Sequence, residues 1–175
     1  LNNIISNGKM NLNEVVETYS PSMDIQVSSN FERQIFESLQ GDSEQVKRIM
    51  NEFKFNKKYT FQKEIKNTFQ NIYNSTAVTN DSTLKAIKLF KEKYNYIADP
   101  HTATGLSVLD TINTDHSFIS IACAHPAKFG EAMQKATGNA PTLPKELEKI
   151  FDKDEKMTIL PNDSKKIKSL IFEQI

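Results

Sequence analysis

Between Met23 and Leu39 the apolar side chains change their spacing. Met23, Ile25 and Val27 alternate with polar residues, the pattern of a half-buried strand. Phe31, Ile35, Phe36 and Leu39 then recur on one helical face. The spacing predicts a strand over 23–28 and a helix after Ser29. Ser29 and Glu32 stand at capping-box distance, and Gly41 lies where the helix would stop. Helical periods follow on Val46, Ile49, Met50 and Phe53, and again on Phe61, Ile65, Phe69 and Ile72. The intervening Tyr59-Thr60-Phe61 has the composition of a short strand. After a polar connection, Asn80 or Asp81 is placed to cap a helix bearing Leu84, Ile87, Phe90 and Tyr94.

Asp99 and Pro100 read as N-cap and first helical residue, followed by a stripe of Ala103, Leu106, Leu109 and Ile112. Gly105 weakens that helix by about 1 kcal/mol relative to Ala, a cost that a close packing partner would explain. The run Ser117–Ala124 is continuously apolar and of strand length, so a buried strand is expected over 118–123. Pro126 then opens a helix carrying Phe129, Met133 and Ala136, which ends near Gly138. A short helix is expected over Thr142–Phe151, a strand over 157–160, and a capped amphipathic helix over Asn162–Ile175. Few short strands separated by helices indicate an α/β, helix-rich class with mostly parallel strands. Three strands make a small sheet for so many helices, so further strands are expected outside this chain.

Composition narrows the picture. An apolar fraction of 38%, with 11 Phe and 5 Tyr, can build a core. The 22 basic and 22 acidic residues cancel, so no excess of positive charge points to nucleic acid or an anionic membrane. Cys123 is the one cysteine, which excludes an internal disulfide and a cysteine-rich zinc site. There is neither a bilayer-spanning apolar run nor a signal-peptide pattern, and a cytoplasmic location is the expectation. The chain begins at Leu1, without a start-like segment, and reads as a single piece, 1–175, of a longer protein.

Polar residues gather where strands are expected to give way to helices: Ser28-Ser29-Asn30, Asp99-Pro100-His101-Thr102 and Cys123-Ala124-His125. Ligands of open α/β sheets bind beyond the carboxyl ends of the strands, and helix starts offer N–H groups to anions. Each residue also has a plainer reading. Ser29, Asp99 and Asn162 suit helix caps, Cys123 suits a small buried apolar position, and Arg33, one of two arginines, suits a solvated helix face. Cys123, His125 and His101 lack the usual metal-ligand spacing, and an extended segment holds Cys123 and His125 too far apart for a nucleophilic pair.

The blocks "SPSMDIQVSSNFER", "ADPHTATG", "ACAHPAKF" and "ILPND" occur in the order seen in threonine synthases, and the chain resembles the C-terminal portion of that family. The resemblance implies a fold-type II enzyme that uses pyridoxal phosphate to convert O-phospho-L-homoserine and water into L-threonine and phosphate. It implies that Cys123 occupies the position facing the cofactor's pyridine nitrogen, where the family's block usually has Thr. Together with the junction argument it makes Asn30, Arg33, His101, Thr102, His125 and Lys128 candidates for the active site. The family's Schiff-base lysine lies in a Phe-Lys-Asp motif upstream. Phe53-Lys54 and Phe90-Lys91 are not followed by Asp, and no glycine-rich phosphate loop is present. The expected partners are therefore the substrate and the remainder of the same protein, with no catalytic residue in this part and no activity on its own. Two other readings stand beside this one: a different fold-type II lyase, similar to threonine dehydratase, and a non-enzymatic α/β binding module.

Overall fold

The computed structural model describes residues 1–112 and 117–173. The chain divides into two compact units, Leu1–Thr142 and Leu143–Ile175.

The first unit opens with α1, Asn2–Asn7, which stops at Gly8 with φ +69°. A side chain at that left-handed position would be strained, and its Cβ would also press on Lys66 at 3.2 Å. Strand β1, Lys9–Asn11, pairs antiparallel with β2, Lys58–Thr60, in the register Met10 opposite Tyr59. Helices α2, Phe31–Ser38, α3, Ser43–Asn56, and α4, Lys63–Ile72, pack around this pair. Their apolar faces, together with Ile5, Met10 and Phe61, form one core. Phe69 is wholly buried at its centre, with the rings of Phe31 and Phe61 each 5.2 Å away.

A second core lies between α5, Asn80–Tyr94, α6, Pro100–Leu106, and α7, Gly130–Thr137. Ala86, Ala98, Ala103 and Ala136 line it around Ile87, Leu106 and Met133. Small side chains let the helices approach closely. The second unit contains 3-10 turns at Lys145–Leu147 and Ile150–Asp152, then α8, Ser164–Glu173. No helix among the described residues is long and apolar enough to cross a membrane.

The helix-rich, strand-poor class is observed, and most of the expected helices are present with shifted ends; the helix expected over Thr142–Phe151 is replaced by the two short 3-10 turns, and Pro126 opens a 3-10 turn, Pro126–Lys128, ahead of α7. The individual strands differ. Residues 23–28 begin with a 3-10 turn, Pro21–Met23, and enter no ladder. Residues 118–123 and 157–160 are neither helix nor strand. The sheet present is the antiparallel pair β1–β2, so the parallel pairing expected of those segments is not formed here. A strand needs a partner to accept its hydrogen bonds, and no described segment supplies one to these three. Their apolar side chains stay in solvent: Ile119 is 83% exposed and Ile121 72%, where a buried strand was expected.

Several helix ends also move. Asn30, not Ser29, holds the N-cap of α2, and no side chain caps it, so the Ser29–Glu32 box is not made. Thr79 caps α5 in place of Asn80 or Asp81, whereas Asn80 Oδ1 accepts the N–H of Tyr19 at 3.0 Å. Helix α6 ends at Leu106 and resumes as a 3-10 turn, Leu109–Thr111. At α8 it is Asp163, not Asn162, that accepts the N–H of Lys165 at 2.9 Å. The last two residues of that expected helix, 174 and 175, lie outside the described residues.

Candidate functional site

Helix α6 starts as its sequence predicts, with Asp99 at the N-cap and Pro100 in the first turn. Asp99 is 1% exposed, and its two carboxylate oxygens do different work. Oδ1 accepts the backbone N–H of His101 at 2.9 Å, which is the helix cap, and faces His101 Nδ1 at 3.2 Å. Oδ2 accepts the Thr102 hydroxyl and the backbone N–H of Ala124, the latter at 3.2 Å. The Thr102 hydroxyl in turn accepts the backbone N–H of Cys123 at 2.9 Å. The start of α6 and the end of the 118–123 segment are thereby tied at two successive N–H groups.

His101 adds a third segment. Its Nε2 accepts the N–H of Ser22 at 3.2 Å, so the ring proton sits on Nδ1 and is donated to Asp99. The stretch 18–24 is braced further by Asp24, which accepts from Thr18 N at 2.8 Å and Thr18 Oγ1 at 2.7 Å. Burial pushes the Asp99 carboxyl up, but the bonds from Thr102, His101 and Ala124 outweigh it and hold the group below the usual carboxylate range. A buried anion is thus stabilised by donors from two separated stretches of chain.

The three polar junctions fare differently. Two of them, at Asp99 and Cys123, are joined directly. The third, Ser28-Ser29-Asn30, lines a groove of about 760 Å³ together with Ser22, Met23 and Thr104. Gly105 also faces this groove, and a Cβ there would meet Ser120 Oγ at 3.0 Å. That contact is the close partner that the glycine's cost implied.

Of the candidate residues, His101 and Thr102 are buried, and both ring nitrogens of His101 are engaged. Asn30 is exposed at the groove. Arg33 is exposed on α2 and is not among the groove's lining residues. His125 is exposed and caps the 3-10 turn Pro126–Lys128, its Nδ1 accepting the N–H of Ala127 at 3.1 Å. Phe129, at the end of that turn, packs against His101 in a tilted arrangement, with ring centroids 5.0 Å apart and planes at 53°. Lys128 is exposed, its Nζ 5.9 Å from the centroid of the Phe129 ring. Cys123 is exposed, its Sγ contacting the Ile121 carbonyl at 3.5 Å.

Ser22 and Ala124 are the participants that sequence reasoning missed, because they act through backbone N–H groups that any residue type can supply. Asp99 was legible as a cap but not as a partner of Ala124. Spacing alone does not reveal a bond across 25 residues.

Comparison with known proteins bears on the whole chain. The C-terminal domain family of threonine synthase matches residues 102–171. Threonine synthase of Pseudomonas aeruginosa is 31% identical over 176 residues, covering 99% of this chain and 38% of that protein. The Schizosaccharomyces pombe enzyme is 38% identical over 160 residues, covering 79% of this chain and 31% of its own length. The crystal structure of threonine synthase from Brucella melitensis, with pyridoxal phosphate bound, superposes with a TM-score of 0.83 at 31% identity, over 98% of this chain and 37% of that one. The yeast enzyme superposes with a TM-score of 0.80 at 31% identity, over 99% of this chain and 40% of that one. The chain thus spans well under half the length of these relatives, and in both sequence and fold it matches the C-terminal portion of threonine synthases.

Proposed function

We propose that this chain is the C-terminal portion of a threonine synthase which, as a complete protein, converts O-phospho-L-homoserine and water into L-threonine and phosphate. The observation that carries the reading is the superposition of nearly the whole chain on a threonine synthase holding pyridoxal phosphate. When bound, that cofactor supplies an electron sink for the carbanions of the reaction.

The residues present suit one edge of such a cofactor. Cys123 offers an exposed thiol. The nearest carboxylate on the same network, Asp99, is buried and its oxygens are fully engaged with Thr102, His101 and Ala124. A pyridine nitrogen held at Cys123 would meet a thiol rather than a carboxylate, a partner that would not favour its protonation as an Asp would. Asn30, His125 and Lys128 keep exposed polar atoms and are suited to the substrate's phosphate and carboxylate. Arg33 belongs to the same matched block and brings a planar guanidinium to the rim of α2. The lysine that binds the cofactor and the loop that cradles its phosphate belong to the remainder of the protein.

The complete protein, loaded with pyridoxal phosphate, is expected to release phosphate from O-phospho-L-homoserine in step with L-threonine. Production of a keto acid and ammonia from threonine, without phosphate release, would move the chain to the dehydratase-like lyases. Absence of both activities in a folded, cofactor-loaded protein would overturn the enzymatic reading.

A further inference from the structure

The end of the 118–123 segment is held in an unusual way. No ladder flanks it, and Ile119 and Ile121 upstream are largely exposed. Yet two consecutive N–H groups, of Cys123 and Ala124, are fastened to the start of α6. A helix cap needs one oxygen, and Oδ1 of Asp99 already serves as that cap at His101. Oδ2 is surplus to capping. It accepts Ala124 directly and orients the Thr102 hydroxyl that accepts Cys123.

The geometry points to Asp99 as a positioning residue for the Cys123 site, acting through Thr102 and through the backbone of Ala124. The inference deepens the functional reading above and rests on Cys123 facing the cofactor. The residue types are constrained by the donor count. Two oxygens receive His101 N, His101 Nδ1, Thr102 Oγ1 and Ala124 N, so every partner is a donor. An Asn at this position keeps the cap through its carbonyl but turns its NH₂ against the Ala124 N–H. Position 102 needs a hydroxyl that donates and accepts at once, which Ser provides and Val does not. Because His101 hangs from the same carboxylate and accepts from Ser22, the device also ties the Cys123 junction to the 18–24 stretch that borders the groove.

The test uses the complete enzyme loaded with pyridoxal phosphate, in the variants Asp99→Asn, Thr102→Val and Thr102→Ser. Two quantities are read: the rate of iodoacetamide alkylation at Cys123, by mass spectrometry of its peptide, and the cofactor's absorption spectrum. Asp99→Asn and Thr102→Val are expected to raise the alkylation rate about tenfold, the ratio set by losing one hydrogen bond to the junction, and to shift the spectrum. Thr102→Ser is expected to stay near the parent in both. If alkylation rises while the spectrum is unmoved, the positioning role stands and the placement of Cys123 at the cofactor fails. If alkylation is unchanged in folded Asp99→Asn and Thr102→Val proteins, Asp99 is a helix cap alone and the inference is overturned. Should Asp99→Asn not fold, the contrast between Thr102→Val and Thr102→Ser decides the matter by itself.

Discussion

Asp99 shows how much one side chain can be asked to do. Its folded-state carboxyl titrates below the ordinary value of 3.8, since the hydrogen bonds outweigh the burial that raises it. A depressed folded value means that its stabilisation is complete above the unfolded value and is lost as pH falls through the folded one. Asp99→Asn is therefore expected to cost about 1–3 kcal/mol near neutral pH, the penalty of leaving buried donors unmatched. The gap between the parent and variant urea midpoints should narrow on acidification below pH 3.8; a gap independent of pH would show that the charge is not what stabilises. At Cys123 the charge argument runs the other way. In the complete enzyme, Cys123→Asp should favour protonation of the cofactor's ring nitrogen and change both its spectrum and its side reactions, whereas Cys123→Thr should retain activity. An unchanged spectrum in Cys123→Asp would place the thiol away from the ring. The apolar run before Cys123 was legible from the sequence, but the bond that holds its N–H was not, because the partner hydroxyl lies 21 residues upstream.

At the scale of elements, helices were easier to read than strands. A helix satisfies most of its own hydrogen bonds, so the period of Val46, Ile49, Met50 and Phe53 suffices to predict α3. A strand is completed by a neighbour, and the alternation of Met23, Ile25 and Val27 contains no information about whether one is present. The strand that did form in the first eleven residues, β1, is too short for alternation to stand out. Packing between α6 and the 117–125 stretch can be tested at Gly105. Gly105→Ala gains up to about 1 kcal/mol of helix propensity but crowds Ser120 Oγ, so its net effect should be small. In a Ser120→Ala background the same change should become stabilising, because the crowding atom is gone. Gly105→Val is expected to cost about 1–3 kcal/mol through overpacking. Thermal denaturation of the parent, Gly105→Ala, Ser120→Ala, their double variant and Gly105→Val measures all three effects, and additivity of Gly105→Ala with Ser120→Ala would deny the contact.

For the whole molecule, several large apolar side chains outside the two cores are exposed. Phe118, Ile119 and Ile121 lie next to the Cys123 junction, and all three are more than half exposed. The chain alone, mixed with pyridoxal phosphate and borohydride, should acquire no stoichiometric adduct at one lysine; a single modified lysine would contradict the proposed division of the active site. The two cores also come from successive blocks of sequence, one from Ile5 to Phe69 and the other from Ala86 to Ala136. The stretch 18–24 is the exception. It belongs by sequence to the first block but is bonded to Asn80 at the start of α5 and to His101 and Lys135 within the second. Without that crossing, amide protons of the two blocks would exchange with solvent as separate cooperative units. With it, opening of the second block releases a strap that runs between β1 and α2, so the exchange of Tyr19 and Ser22 amides should report the second block's opening, although their neighbours in sequence follow the first.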